Sequence, residues 1–273
     1  MSSKRFVAQQ KTAAPFAPNA ILRVRHLYFL PVLVIAIAII AMLLHGSIAQ
    51  LNDYHHFADQ REWMDIPNAA DVLSNIGFAF VGLYGMRMLW QQRDNPIYEQ
   101  SRYAYGLFFV SVFLTTFGSG WYHLHPDNAR LVWDRLPIAL GCAGLLAAVW
   151  RETLGCSRWT AIALAVIAVL SVVWWRYTDL VSVGDLRPYL LIQLLPLALI
   201  PLLQWQHHSA REERLAFAAA IGFYVTAKFF ELADHATLDA LHIISGHTLK
   251  HLLATMATVA IAWGLARRPK DSC

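Results

Sequence analysis

Three groups of residues in this chain could do chemistry, and each lies in or beside an apolar segment. His247 and His251 are four residues apart, so on a helix both imidazoles project from one face. Ser119 and His123 repeat this spacing, and Asp134 follows eleven residues after His123. Because an ionisable group in lipid costs several kcal/mol, such groups usually have a function. The set predicts a metal-centred hydrolytic site built within a membrane.

The residue types suit a catalytic zinc ion, which takes three protein ligands and keeps its fourth position for water. We expect His123, His247 and His251 to bind Zn²⁺, with the Ser119 hydroxyl beside them. A carboxylate next to a zinc-bound water can accept its proton, and this is the role expected of Asp134.

Each group also has a plainer interpretation. The late histidine pair could face water or lipid headgroups at the membrane interface. His123 could be a helix-end histidine, with Ser119 bonded to its own backbone. Asp134 could be a capping residue that opens a helix and pairs with Arg130 or Arg135.

The composition indicates a polytopic membrane protein. Of the 273 residues, 57% are hydrophobic and 15% are charged, whereas soluble domains average about 25% charged residues. The net charge of +4 does not indicate a nucleic-acid partner, because the basic residues lie in short loops between apolar runs. We therefore predict an all-α polytopic membrane helical bundle.

Eight apolar runs approach the length needed to cross a bilayer. They cover residues 28–50, 69–90, 103–123, 131–150, 159–176, 187–204, 214–233 and 240–266. This predicts a tail over 1–27, an extra N-terminal transmembrane helix over 28–50, a seven-helix core over 51–266 and a second tail over 267–273. Alternatively the first run is a signal peptide cleaved near Ala49, but its apolar core is longer than such peptides use.

Lys and Arg residues set the predicted orientation. With the N-terminus inside, 15 of the 22 fall on the cytoplasmic side, five on the other side, and Lys228 and Lys250 within runs. The positive-inside rule then places both termini in the cytoplasm. In this topology His123, Asp134 and the late histidine pair share one slab near the extracytoplasmic surface, with the pair two to three turns below it. This agreement favours a metal site over the plainer interpretations.

The motifs together resemble the alkaline ceramidase family. They are Ser119-x3-His123, Asp134-Arg-Leu-Pro137 and His247-x3-His251 on the last helix. The similarity spans roughly residues 59–266, and the family belongs to a superfamily of seven-helix membrane hydrolases that includes the adiponectin and progestin receptors.

The resemblance implies a bacterial member of that family. Such a protein would lie in the inner membrane, with its active site toward the extracytoplasmic side. The resemblance also implies hydrolysis of a fatty-acyl amide bond in a sphingolipid-like lipid. The three histidines would bind zinc, Asp134 would help activate the water, and Ser119 would stabilise the oxyanion.

The chain departs from the family at an acidic calcium-binding segment found in eukaryotic members. A glutamate stands there six residues before a Ser-Asn pair, whereas here Asn68 precedes Ser74-Asn75 at that position. Asp71 lies three residues before the pair, and Asp59 lies further upstream. Asp59 and Asp71 are the candidate ligands for Ca²⁺; the alternative is an ordinary solvated acidic loop.

Four further charged residues, Lys228, Glu231, Asp234 and Lys250, lie near the last two predicted spans. They could form an ion-pair network joining these helices. Alternatively, Lys228 or Lys250 could meet an anionic lipid headgroup or orient the metal ligands.

Two other functions are compatible with the same motifs. A ligand-sensing membrane receptor could keep zinc as a structural clamp, with a fourth protein ligand and no need of Ser119. A haem protein could use His123 and a late histidine as axial ligands.

Overall fold

The computed structural model describes the backbone of residues 18–157 and 159–268, and the side chains from residue 29 onward within these ranges. Residues 1–17, Arg158 and residues 269–273, which include most of both predicted tails, lie outside the described residues.

The described chain forms ten α-helices, which confirms the all-α prediction. We number them in chain order: α1 Pro18–His45, α2 Ala69–Leu73, α3 Ile76–Gln91, α4 Arg102–Leu124, α5 Asn128–Leu154, α6 Trp159–Val181, α7 Arg187–Gln206, α8 Arg211–Leu232, α9 Asp234–Leu241 and α10 Gly246–Ala266. A short 3-10 helix, Pro96–Tyr98, lies between α3 and α4. Within these ranges β-pairing is limited to one bridge, between Trp63 and Ile66.

Seven helical segments are long and apolar enough to cross a membrane: α2 with α3, then α4, α5, α6, α7, α8 and α10. They match the predicted seven-helix core. The apolar part of α1 that the structure describes, Phe29–His45, is shorter than these seven, and α1 packs against α7. Its crossing of the membrane stays a prediction.

Six helices form a ring around a central cavity. Neighbours in the ring are α3, α4, α5, α7, α8 and α10, and α10 packs back onto α3. Helix α6 lies outside the ring against α5 and α7. Many large apolar side chains point outward, including Phe80 at 70% exposed and Leu232 at 85% exposed, as expected of surfaces that face lipid.

Two helix boundaries differ from the prediction. The last apolar run is divided at His242, whose left-handed backbone (φ 61°) ends α9, and α10 begins only at Gly246. His247 and His251 therefore lie in the first two turns of α10, so the predicted start of this helix near residue 240 was wrong, while the depth of the two histidines in the membrane stays a prediction. Helix α5 begins at Asn128 with Asp127 as its cap, because the Asp127 carboxylate accepts a hydrogen bond from the Arg130 backbone.

Candidate metal centre

The three predicted histidines meet at one buried point. Their ring centroids form a nearly equilateral triangle, with separations of 4.8 Å for His123–His247, 4.9 Å for His123–His251 and 4.8 Å for His247–His251. One ligand atom from each ring lies within 4.8 Å of the other two, and all three residues are buried. The Nε2 atoms of His123 and His247 are 3.2 Å apart, close to the separation of two nitrogens that each lie about 2.0–2.1 Å from one tetrahedral zinc ion.

Ser74 contacts the Nδ1 atom of His251. Its hydroxyl donates to the carbonyl oxygen of Asp71 over 3.0 Å and lies 2.8 Å from Nδ1 of His251. The amide nitrogen of Asn75 lies 3.4 Å from the same Nδ1 atom. In the tautomer whose Nδ1 donates to Ser74, Nε2 of His251 carries the free lone pair that a metal ligand requires.

Lys250 contacts the centre from the next turn of α10. Its ammonium group donates to Nε2 of His247 over 2.8 Å and to Glu231 over 3.2 Å, while Lys228 lies 2.5 Å from the other oxygen of Glu231. These contacts confirm the ion-pair network between the last two membrane helices. Because a lysine only donates, Nε2 of His247 is the acceptor in this contact, and Lys250 and a metal ion would compete for its single lone pair.

Ser119 and Asp134 are adjacent across the α4–α5 contact. The Asp134 carboxylate interacts with the Ser119 hydroxyl and with the charges of Lys250 and Arg135. A Cβ atom on Gly118 would lie 2.0 Å from the carbonyl oxygen of Trp133, so only glycine allows the two helices to approach this closely beside the pair. Asp134 lies two turns inside α5, which removes the interpretation of this residue as a helix cap.

A loop covers the histidines on the side where α10 begins. The Phe57 ring packs 4.7 Å from His123 and 4.3 Å from His247, measured between centroids. Asp234 holds this loop, since one oxygen accepts from the Ala58 backbone over 2.9 Å and the other from the His247 backbone over 2.7 Å. The apolar cover excludes water and strengthens electrostatic interactions below it.

The site opens into the central cavity, which has a volume of about 330 Å³. Ser119, Asp134 and His251 line one end. The rest is mainly apolar, with Phe78, Phe108, Leu145, Phe217 and Ile261 among the lining residues. Leu145 lies eleven residues beyond Asp134 on α5, a distance of about 16 Å at 1.5 Å per residue, so the cavity suits a long apolar chain.

The two candidate calcium ligands have separate protein partners. Both carboxylate oxygens of Asp59 accept from Arg61, at 2.8 and 2.5 Å, and this hydrogen bonding lowers the pKa of Asp59. One oxygen of Asp71 accepts from Thr248 over 2.6 Å. Calcium binding by Asp59 and Asp71 stays a prediction.

Several contacts around the centre were not anticipated from the sequence: those of Phe57, Ser74 and Asp234 with the histidines. Ser74 carries a usable signal, because it and Asn75 are a polar pair inside an otherwise apolar run. Phe57 and Asp234 carry none, since a loop phenylalanine and a helix-end aspartate are common in any membrane protein. The Nε2 atoms of His123 and His247 are only 3.2 Å apart, a distance that leaves no room for a haem plane between the two rings.

No protein-family model matches this chain, and no curated protein matches it significantly.

Proposed function

We propose that this protein is a zinc-dependent intramembrane hydrolase that cleaves a fatty-acyl amide bond of a lipid. The observation that carries the proposal is a cluster of three buried histidines, of which His251 lines the same apolar cavity as Ser119 and Asp134 inside a membrane bundle. The motif resemblance to alkaline ceramidases supports the same reaction.

The fit of the three histidines to a metal rests on the geometry of their nitrogens. One nitrogen from each ring lies within 4.8 Å of the other two, and the Nε2 atoms of His123 and His247 are 3.2 Å apart. The Lys250 ammonium, which now contacts Nε2 of His247, would move aside when the metal binds. When bound by these residues, Zn²⁺ supplies a Lewis acid that polarises a carbonyl and lowers the pKa of a water molecule toward about 7.

The protein's own groups then perform the proton transfers. The Asp134 carboxylate takes a proton from the attacking water, whose oxygen forms a new bond to the amide carbon. The Ser119 hydroxyl donates a hydrogen bond to the oxyanion that develops. Asp134 returns the proton to the nitrogen as the carbon–nitrogen bond breaks, which gives a fatty acid and a free amine.

The cavity positions the substrate for this reaction. The acyl chain occupies the apolar length between the ring helices, which places the amide at the polar end near Asp134. With the orientation given by the positive-inside rule, this end lies toward the extracytoplasmic side of a bacterial inner membrane.

A receptor with a structural zinc ion is the alternative function. Structural zinc sites use four protein ligands, whereas the group found among the described residues has three. This difference favours a site that is open to water.

Metal removal tests the proposal. Protein purified in detergent should release fatty acid from an N-acyl lipid, detected by mass spectrometry. Treatment with a chelator should abolish the release, and added Zn²⁺ should restore it, with Mg²⁺ as the matched control that does not. A zinc-loaded, folded protein that cleaves none of a panel of N-acyl lipids would favour the receptor.

A further inference from the structure

Arg135 is a buried cation that the proposed hydrolysis does not use. It follows Asp134 directly on α5, is 3% exposed, and lines the same cavity as Ser119, Asp134 and His251. Its Nη2 donates to the side-chain oxygen of Gln50 over 2.8 Å. Nε and Nη1 are buried and have no hydrogen-bond partner among the described residues.

Aromatic rings surround the guanidinium but do not satisfy these donors. Its carbon lies 4.0 Å from the ring centroid of Trp175, 5.3 Å from Tyr54 and 5.2 Å from Tyr189. The ring faces attract the positive charge. They fix the position of the guanidinium, while the N–H groups still require an acceptor.

More cationic than anionic side chains line the cavity. Three cations and two carboxylates line it: Arg135, Lys228, Lys250, Asp134 and Glu231. Both lysines pair with Glu231, and the Asp134 carboxylate interacts with the Ser119 hydroxyl and with the charges of Lys250 and Arg135. Within the described residues no carboxylate forms an ion pair with Arg135, although a buried charge without a partner is costly.

The position of Arg135 in the cavity indicates which half of a bound substrate it would contact. The apolar part of the cavity extends along α5 away from Asp134, toward Gly141 and Leu145. Arg135 instead contacts Gln50 and Tyr54, in the loop between α1 and α2. An acyl chain in the apolar part therefore leaves the amine half of the amide beside Arg135.

We propose that Arg135 binds an anionic group, a carboxylate or a phosphate, on the amine half of the substrate. This specificity rests on the proposed amide hydrolysis. Arginine suits either anion, because its planar guanidinium donates several hydrogen bonds to negatively charged oxygens. The substrate class is then an N-acyl amine with an acidic head, such as an N-acyl amino acid, and not an uncharged ceramide.

The test compares three probes with one acyl chain: N-dodecanoyl glycine, N-dodecanoyl ethanolamine phosphate and N-dodecanoyl ethanolamine. Binding is measured in an Asp134→Asn background, so that the probes are not consumed. We expect at least one acidic probe to bind more tightly than the hydroxyl probe, and the preferred acidic probe distinguishes carboxylate from phosphate. Arg135→Gln should weaken binding of that probe by about 10- to 100-fold, the equivalent of a charged hydrogen bond, and change the hydroxyl probe less than about twofold.

Two further variants control for folding and for charge in general. Arg135→Lys keeps the charge, and its affinity for the acidic probe should fall between that of the unchanged arginine and that of Arg135→Gln. It therefore reports on the site if Arg135→Gln does not fold. Arg130→Gln removes an arginine that pairs with Asp127 and does not line the cavity, and it should leave all three affinities unchanged.

The outcomes separate this inference from the proposed function. Equal affinity for the three probes, or equal loss for all three in Arg135→Gln, overturns the anion site. Hydrolysis is measured in parallel with Asp134 intact. Cleavage of the hydroxyl probe with no head-selective effect of Arg135→Gln keeps the hydrolase and rejects the anion site. Head-selective binding without cleavage of any probe keeps the anion site and rejects the hydrolase.

Discussion

At the scale of single residues, the three histidines were identifiable from the sequence but their partners were not. In His-x3-His and Ser-x3-His the two side chains lie on one face of any helix, whatever its position in the fold. The sequence alone therefore predicts the ligand set. The contact of Ser74 with His251 joins residues 177 positions apart. It depends on how α2 and α3 meet α10, which local spacing does not encode.

Replacement of Ser74 by alanine should weaken metal binding. Ser74→Ala removes one hydrogen-bond partner of Nδ1 of His251, and loss of such a partner of a metal ligand typically costs about 10- to 100-fold in metal affinity. Zinc affinity measured by competition with a chelator checks this. Ser171→Ala is the matched control, because the Ser171 hydroxyl bonds only its own helix at Ala168. Unchanged zinc affinity in Ser74→Ala would show that the histidine is oriented by other contacts.

Asp134 and Ser119 should affect catalysis without affecting the metal. Removing the general base in Asp134→Asn should lower kcat by about 10²- to 10⁴-fold, and removing the hydroxyl donor in Ser119→Ala by about 10²-fold. Both proteins should keep the zinc content of the wild type. Full activity in Asp134→Asn would assign the proton transfer to another group.

At the scale of helices, the sequence predicted seven core spans but misplaced the start of the last one. The run from α9 to α10 is apolar enough to read as one segment. It is divided because His242 adopts a left-handed conformation and Ser245 caps α10, accepting from the Thr248 backbone over 3.0 Å. The Ser245-Gly246 pair was the available signal for this helix start.

The close approach of α4 and α5 should be required for activity. A Cβ at Gly118 would overlap the Trp133 carbonyl, so Gly118→Ala must push α5 away from Ser119. We expect a loss of about 1–3 kcal/mol in stability and about 10²-fold in rate, since a displacement near 1 Å disturbs catalytic geometry. Thermal unfolding and kinetics check both effects. Gly120→Ala, two residues along α4 with open space around its Cβ, should resemble the wild type.

Asp185 should stabilise the junction between the segment after α1 and the start of α7 in a pH-dependent way, because it accepts hydrogen bonds from the Ile48 backbone and from Arg187. Burial opposes its ionisation, but hydrogen bonds from Arg187, Trp174 and backbone groups outweigh this and lower its pKa from 3.8 to about 2. Because the pKa of Asp185 is lower in the folded protein than in the unfolded chain, the ionised carboxylate stabilises the fold at pH values above the unfolded pKa. This stabilisation is lost as the pH falls from about 4 toward 2. At neutral pH, Asp185→Asn should therefore cost about 2 kcal/mol.

Thermal unfolding in detergent at several pH values measures the effect of Asp185→Asn. The difference from the wild type should shrink as the pH falls toward 2. Asp239→Asn, at an exposed position on α9, is the control and should show no such dependence. A difference that stays constant with pH would mean that the ionised carboxylate does not stabilise this junction.

At the scale of the whole molecule, hydropathy and charge predicted a bundle but not its interior. Apolar length fixes how many helices can cross, because backbone groups in lipid must be satisfied within each helix. Which helices form the ring around the cavity depends on side-chain packing between distant segments. The role proposed for Arg135 was not predicted for this reason: in the sequence it is one of five basic residues outside the predicted cytoplasmic side, and only the fold shows its aromatic surroundings.

The orientation of the bundle can be tested with reporters. The positive-inside rule places the C-terminus in the cytoplasm. A fluorescent protein fused after Cys273 should therefore fluoresce in bacterial cells, and alkaline phosphatase fused there should be inactive. Active phosphatase at this position would invert the topology and move the metal centre to the cytoplasmic side.

The central claim is that the three histidines hold one metal ion, and the zinc content of the purified protein tests it most directly. Mass spectrometry of the folded wild type should find about one zinc ion per chain, as expected for a single site of this kind. His123→Ala and His247→Ala proteins, shown by size-exclusion chromatography to be folded, should contain almost none. Wild-type zinc content in both variants, or folded wild type that binds no zinc when the metal is supplied, would contradict the account.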